Sequence, residues 1–276
     1  MTDVVVVTGI GGMGVACARR LGAGRRLVIA DFDGDKLARE AEILTGDGFA
    51  VTPVRLDVSD RASVAELAGS AGALGTLRTL VHTAGLSPTQ ATSERVLEVD
   101  MLGTDYVLDA FAGLATDGTV AVCIASMAGY MAGLAPDREF ALATVATDDL
   151  LETVGSVEGF DFGTTYCIAK RVNQLRVERA AATWGKHGGR VVSISPGIIS
   201  TPMGRQELEQ GAREQMQAQL DMSAMPRIGT AEDIAAAVEW LASPAASFVT
   251  GCDLRVDGGV TAAIHALGVG FGPAAS

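Results

Sequence analysis

The stretch TTYCIAKR, residues 164–171, sets a phenol, Tyr166, four positions ahead of an ammonium, Lys170. On an α-helix that spacing puts both side chains on one face. A free phenol titrates near pH 10, so bringing it to neutrality takes about three units, roughly 4 kcal/mol of preference for phenolate. A cation held beside it supplies such a preference and makes the phenol a group that takes and returns a proton. Ser126, at the end of the apolar run TVAVCIAS (119–126), offers a hydroxyl donor for the same chemistry. Each has a plainer use: the Tyr-x-x-x-Lys spacing also occurs in packed helices, and a serine beside Gly129 suits a turn.

A second group of residues is suited to phosphate. VVVVTGIGGMGVACARRL reads as a buried strand, a glycine loop and a helix, with Gly9, Gly11 and Gly14 in G-x-G-x-x-G spacing. Gly12 and Met13 belong to the same loop. Glycines allow the tight turn and let a pyrophosphate reach the backbone at the positive helix N-terminus. Asp31, followed by Phe32, ends the next apolar run, where a carboxylate accepts from ribose hydroxyls. Against a 2′-phosphate it repels, by about 4 kcal/mol at ~4 Å and an effective dielectric of ~20. With Asp33 nearby and no basic residue within the loop, NAD is expected over NADP.

These groups sit on an alternation of apolar runs and helical periods. The runs are 3–8, 26–31, 51–56, 79–83, 119–126, 190–195 and 252–256, with amphipathic stretches such as DKLAREAEIL and SERVLEVDMLGTDYVLDAF between them. Continuous apolar strands separated by helices specify a parallel sheet covered on both faces. The expected fold is a Rossmann-like, doubly wound, seven-stranded α/β domain, single over residues 1–276.

Composition narrows the partners. The 276 residues are 48% hydrophobic and 20% charged, which excludes a disordered chain, and the formal net charge is −12. That charge argues against nucleic acid and anionic membrane as partners but says nothing about a small-molecule substrate. Cys17, Cys123, Cys167 and Cys252 lack C-x-x-C spacing, so no metal is expected and a reducing cytoplasm is the expected location. No apolar run reaches the ~20 residues that span a bilayer. His82, His187 and His265 are expected to be structural.

Taken in order, these motifs make the chain resemble the short-chain dehydrogenase/reductase family from residue 3 to about 260. TGIGGMG resembles the family's TGxxxGxG loop, one residue shorter and shifted in register. LDV, with Asp57 and Val58, matches the adenine-holding position, and HTAG matches NNAG through Ala84 and Gly85. Ser126 stands at the catalytic serine, Tyr166 and Lys170 at YxxxK, and SPGIISTP, with Ile199 and Thr201, at the stretch that meets the nicotinamide. The resemblance implies an NAD-dependent oxidoreductase acting on a secondary alcohol or ketone. It assigns Ser126, Tyr166 and Lys170 as catalytic and gives Tyr166 and Lys170 a place against the cofactor as well. In VDMLG, Asp100 takes the family's usual asparagine position. An aspartate there either serves equally through its backbone carbonyl, or shifts the lysine and raises the pH optimum. A ketoacyl reductase using NADPH predicts a basic residue at position 31, and a nucleotide-binding regulatory protein without catalysis is the remaining alternative.

Two segments remain. Ser126 and Tyr166 are 40 residues apart, against about a dozen in most of the family. This inserted segment, about 131–163, resembles one in a branch typified by 3-alpha-hydroxysteroid dehydrogenase/carbonyl reductase. Phe140, Leu142, Val145, Leu150, Leu151 and Val154 are expected to form its inner face. It would cover the surface where family members build four-helix contacts, which implies a homodimer through another surface, or else a homotetramer. Residues 203–229 stand at the family's substrate lid and hold Met203, Met216, Met222 and Met225, apt for an adaptable apolar pocket or an ordinary core.

Overall fold

The computed structural model describes residues 2–87, 91–155, 162–202, 204 and 213–268. Its centre is β1, Asp3–Thr8, whose valines 4 to 7 are wholly buried. Successive side chains of a strand face opposite sides. Val5 and Val7 accordingly pack with Ala16, Cys17 and Leu21 of helix α1 (Gly12–Gly22), whereas Val4 and Val6 pack with Val64 and Leu67 of α3 (Arg61–Leu74) on the other face. A strand buried on both faces is apolar throughout, which is why the run carries no polar alternation.

Six further strands extend the sheet, all parallel: β2 (Arg26–Asp31), β3 (Ala50–Arg55), β4 (Thr76–His82), β5 (Val120–Ile124), β6 (Arg190–Pro196) and β7 (Cys252–Val256). Their spatial order is β3-β2-β1-β4-β5-β6-β7. The chain reverses direction across the sheet after β3, so the crevice at the carboxyl ends of β1 and β4 is the place for a ligand in such a fold. The expected α/β, doubly wound, seven-stranded Rossmann-like architecture is therefore present. The strand expected at 79–83 begins earlier, at Thr76, because Asp3 pairs in register with Thr76 and forms an ion pair with Arg78 at 2.9 Å. Those polar residues hide the strand's start from an apolar scan.

Two stretches shape the site. The helix over Ser93–Val96 and Gly103–Ala112 is interrupted by a π-helical segment, Leu97–Leu102. The inserted segment forms two short helices, Pro136–Thr144 and Leu150–Val154, rather than one period. Leu142, Leu150 and Val154 are buried against Ile168, Val172 and Leu175 of the long helix α8 (Phe162–Gly185). Phe140 and Leu151, expected inside, are instead 70% and 39% exposed. The helix ends where Val145 and Ala146 turn extended, and the new helix restarts with a different face inward. Residues 156–161 of the expected insertion lie outside the described residues.

Polar ties also bind the insertion down. Arg171 grips Glu139 with two bonds of 2.6 and 2.9 Å, Arg176 and Arg179 donate to the Val145 carbonyl, and Arg61 pairs with Asp148. Arg138 donates to the Val154 carbonyl within the segment itself.

Candidate active site

The glycine loop follows directly from β1. Gly9 has φ +82°, open to glycine at little cost, and its backbone lies against Ala84 and Thr83 after β4. A side chain at Gly14 would run into the Gly9 carbonyl and the Thr83 hydroxyl. Thr83 Oγ1 donates to the Gly9 and Thr8 carbonyls at 2.5 and 3.0 Å, which fixes the loop to β4. Gly11 precedes α1 in extended conformation, with nothing within 4 Å of where its side chain would begin, and α1 has no acid in its first turn. That open, amide-lined, acid-free helix start fits a dinucleotide pyrophosphate. Gly12 abuts Thr201 and Pro202, and Met13 is half-buried against the core beneath.

The edge of the crevice is built around Asp31. Its Oδ2 accepts from the Ile10 amide at 2.7 Å, its Oδ1 from the Asp33 amide at 2.9 Å, and Lys36 Nζ lies 2.8 Å from Oδ2. Asp33, not Asp31, caps the following helix by accepting from the amides of Asp35 and Lys36. The acid stands at the end of β2, and its offsetting cation, Lys36, lies three positions beyond the cap, outside the glycine loop. Phe32 is exposed, with the Arg55 guanidinium 5.6 Å above its ring. Asp57 accepts from Ser59 and lies 3.3 Å from Arg95; burial opposes its ionisation, but Ser59 and Arg95 together hold its carboxyl below the ordinary range. Val58 is buried against Gly103.

At the crevice floor, α8 brings Tyr166 and Lys170 together, with Nζ 5.4 Å from the Tyr166 ring centre. Lys170 is buried and pairs with Asp100 Oδ2 at 3.0 Å. Burial pulls the ammonium down, but Asp100, then Tyr166, more than offset it, and the net direction is up. Burial pushes the Asp100 carboxyl up, opposed by Lys170 and by the Leu86 amide, which donates to Oδ1 at 2.7 Å. Gly85 leaves the space these groups need, since a side chain there would begin 3.2 Å from Nζ.

His82 braces the same floor. Thr104 gives its hydroxyl proton to the Asp100 carbonyl at 2.7 Å, so its oxygen accepts from His82 Nε2–H at 3.2 Å. His82 Nδ1 then accepts from the Thr8 hydroxyl at 2.7 Å. Burial first, and Lys170 second, hold the imidazole neutral, with its pKa lowered to about 3. The histidine is structural, as expected, and it ties β1, β4 and the π segment together.

Ser126 lies two residues beyond β5, and its Oγ accepts from the Ala128 amide at 3.1 Å, so it caps the 3-10 turn Met127–Met131. Gln174, one turn beyond Lys170, donates to the Ser126 carbonyl at 3.3 Å and to Ser195 Oγ at 2.9 Å. Arg171 donates to Gln174 Oε1 at 2.9 Å, so the chain of contacts runs from the inserted Glu139 to the serine's backbone. Ile199 pairs with Gly229 and is half-buried, and Thr201 is buried beside Gly12, so the loop after β6 meets the glycine loop. Met222, at the end of the helix Arg213–Met222, packs against the cluster of Met127, Met131, Val260 and Ile264. Met203 lies outside the described residues.

A strand–glycine loop–helix unit, a buried acid at the next strand's end and a Tyr–Lys helix on a doubly wound sheet define a nucleotide-dependent oxidoreductase class. The chain matches the family model described as enoyl-(acyl carrier protein) reductase over residues 9–261. It is 35% identical over 270 residues to a short-chain dehydrogenase/reductase of Alternaria brassicicola, covering 94% of this chain and 96% of that protein. It is 32% identical over 265 residues to a galactitol 2-dehydrogenase (L-tagatose-forming) of Cereibacter sphaeroides, covering 92% and 93%. A solved short-chain type dehydrogenase/reductase from Mycobacterium ulcerans superposes with a TM-score of 0.75 at 27% identity, over 95% of this chain and 90% of that one. The chain belongs to the short-chain dehydrogenase/reductase family. It is an oxidoreductase acting on alcohol or ketone groups with a nicotinamide cofactor. Among the described residues no helix is long and apolar enough to cross a membrane.

Proposed function

We propose that this protein interconverts a secondary alcohol and its ketone with NAD(H), using Tyr166 as the proton-transferring group. The observation that carries the reading is the buried Lys170 ammonium 5.4 Å from the Tyr166 ring, which favours phenolate. Gly9, Gly11, Gly12, Met13 and Gly14 hold the pyrophosphate, Asp31 and Phe32 the adenosine ribose, and Asp57, Val58, Ala84 and Gly85 the adenine side. Ile199 and Thr201, with Tyr166 and Lys170, flank the nicotinamide. The cofactor supplies hydride transfer at carbon, and the protein supplies orientation and proton chemistry. In oxidation, Tyr166 takes the substrate hydroxyl proton; in reduction, it returns that proton to the oxygen. Ser126 donates to the same oxygen, and Lys170 holds the phenol acidic.

NAD is favoured because the Asp31 carboxylate accepts from ribose hydroxyls and repels a 2′-phosphate. Lys36, 2.8 Å from that carboxylate, favours a second reading in which NADP is also accepted. Met222 against Met127 and Met131 supports an apolar, adaptable pocket for a bulky alicyclic or steroid-like substrate. The insertion occupying the outer face of α8 supports a homodimer through another surface, and a scattering mass of four subunits overturns that.

The test is a panel of hydroxysteroids, alicyclic alcohols and polyols with NAD and with NADP, followed by nicotinamide absorbance. Turnover that falls at least a hundredfold in Tyr166→Phe supports the reading. Turnover undiminished in that variant overturns the role of Tyr166, and tight NAD binding without turnover on any alcohol favours a regulatory protein.

A further inference from the structure

Asp100 stands where the family resemblance implies an asparagine, and its surroundings give it a definite task. We propose that Asp100 is a positioning residue whose carboxylate clamps the Lys170 ammonium directly and sets the proton relay to work at higher pH than an amide there would allow. This deepens the reading above and rests on Tyr166 and Lys170 moving the substrate proton.

The backbone comes first. A π-helical turn widens the helix by one residue, and such turns concentrate at functional positions. Here it spans Leu97–Leu102 and presents Asp100 to the interior, where it is wholly buried. Both ends of the residue are then fixed. Its carbonyl accepts from Thr104, which His82 braces from β4, and its Oδ1 accepts from the Leu86 amide. The remaining oxygen, Oδ2, faces Lys170 Nζ at 3.0 Å. Gly85 leaves the pair its space: a side chain there would begin 3.4 Å from either carboxylate oxygen. With one oxygen held by the Leu86 amide and the other 3.0 Å from the ammonium, the ion pair needs no intermediary.

The charges around Lys170 come from four elements. Asp100 faces it from the π segment, Tyr166 from its own helix, Cys123 from β5 and His82 from β4. The Cys123 thiol, pushed up to about 12 by burial, stays protonated, and the imidazole stays neutral. Asp100 and Tyr166 are therefore the groups whose charge acts on the ammonium at working pH. A fixed carboxylate favours the ammonium and disfavours a second anion at Tyr166. Both effects delay proton loss to higher pH, so the two titrations move together.

Asp100→Asn keeps the volume and the acceptor for Leu86 and deletes the charge. The experiment compares pH profiles of kcat/KM for the wild type and this variant on one confirmed alcohol with NAD. Both limbs are expected to move down by about one pH unit, as loss of one adjacent charge does, with KM little changed. A profile that keeps its pH position while its height falls shows a structural role and overturns the proposal. If the wild type oxidises no alcohol, the functional reading fails, and phenolate absorbance decides instead. Each background is titrated with and without Tyr166→Phe, and the difference isolates Tyr166. Ionisation at lower pH in Asp100→Asn supports the clamp, and coincident curves overturn it. Should the variant not fold, the Asp100 carboxyl carbon shift is followed by NMR in the wild type. An ionised signal at neutral pH supports the proposal, and a protonated one overturns it.

Discussion

Lys36 Nζ lies 2.8 Å from Asp31 Oδ2, and the same oxygen accepts from the Ile10 amide of the glycine loop. The acid proposed to hold the adenosine ribose thus also serves the architecture of the loop. Removing Lys36 leaves the carboxylate uncompensated toward an approaching 2′-phosphate. For Lys36→Met, NADP binding is expected to weaken about tenfold, or about 1.4 kcal/mol, with NAD binding changed less. Calorimetric titration with each dinucleotide reads the difference, and equal losses for both show that Lys36 does not discriminate.

Glu139 reaches the serine through Arg171 and Gln174. Gln174→Leu removes the donor to the Ser126 carbonyl and strands Ser195 Oγ. Its kcat is expected to fall several-fold to tenfold with KM nearly unchanged, since a hydrogen bond of this kind contributes about 1 kcal/mol. Glu139→Gln sits farther along and is partly exposed, so its effect is expected to be smaller. Steady-state kinetics at a fixed pH checks both, and an inverted order breaks the proposed line of contacts.

His82 makes acid stability testable. Its pKa is lowered to about 3 in the fold, against about 6.5 in the unfolded chain, so the unfolded state binds more protons between those values. The contribution is present above about pH 6.5 and is lost as pH falls, at up to about 1.4 kcal/mol per pH unit. His82→Asn, which cannot titrate, is expected to show a shallower loss. Urea unfolding at pH 7 and pH 5 compares the slopes, and parallel slopes remove His82 from the account.

Gly14 is held where a side chain would meet the Gly9 carbonyl and the Thr83 hydroxyl. Gly14→Ala is therefore expected to lower thermal stability and weaken dinucleotide binding by at least tenfold, because the loop must open to admit the methyl. Gly11→Ala, at a position with open space and extended backbone, is expected to leave stability almost unchanged while hindering the pyrophosphate. Melting curves with and without NAD separate the two.

Much of this was legible because it is local. Val4–Val7 announce a strand buried on both faces, and Gly9, Gly11 and Gly14 follow at fixed offsets before a helix. Tyr166 and Lys170 share a face because helix geometry fixes residues four apart. The insertion was legible as helical, but its inner face was not: Phe140 and Leu151 are exposed because the chain breaks near Val145. A break of that kind resets the helical phase, and nothing in an apolar count marks it. The pairing of Lys36 with Asp31 is not legible in the sequence, because a residue's partner depends on where the cap turns the chain, not on its type.

By itself, then, the sequence determined the order of elements, the glycine loop and the phenol–ammonium pair, since short-range geometry sets each. The tertiary structure alone decided what stands beside them. Asp100 reaches Lys170 from 70 positions away, through a π turn that neither periodicity nor composition reveals. Such a contact arises from packing between distant segments, and the charge balance around Tyr166 and Lys170 follows from that packing.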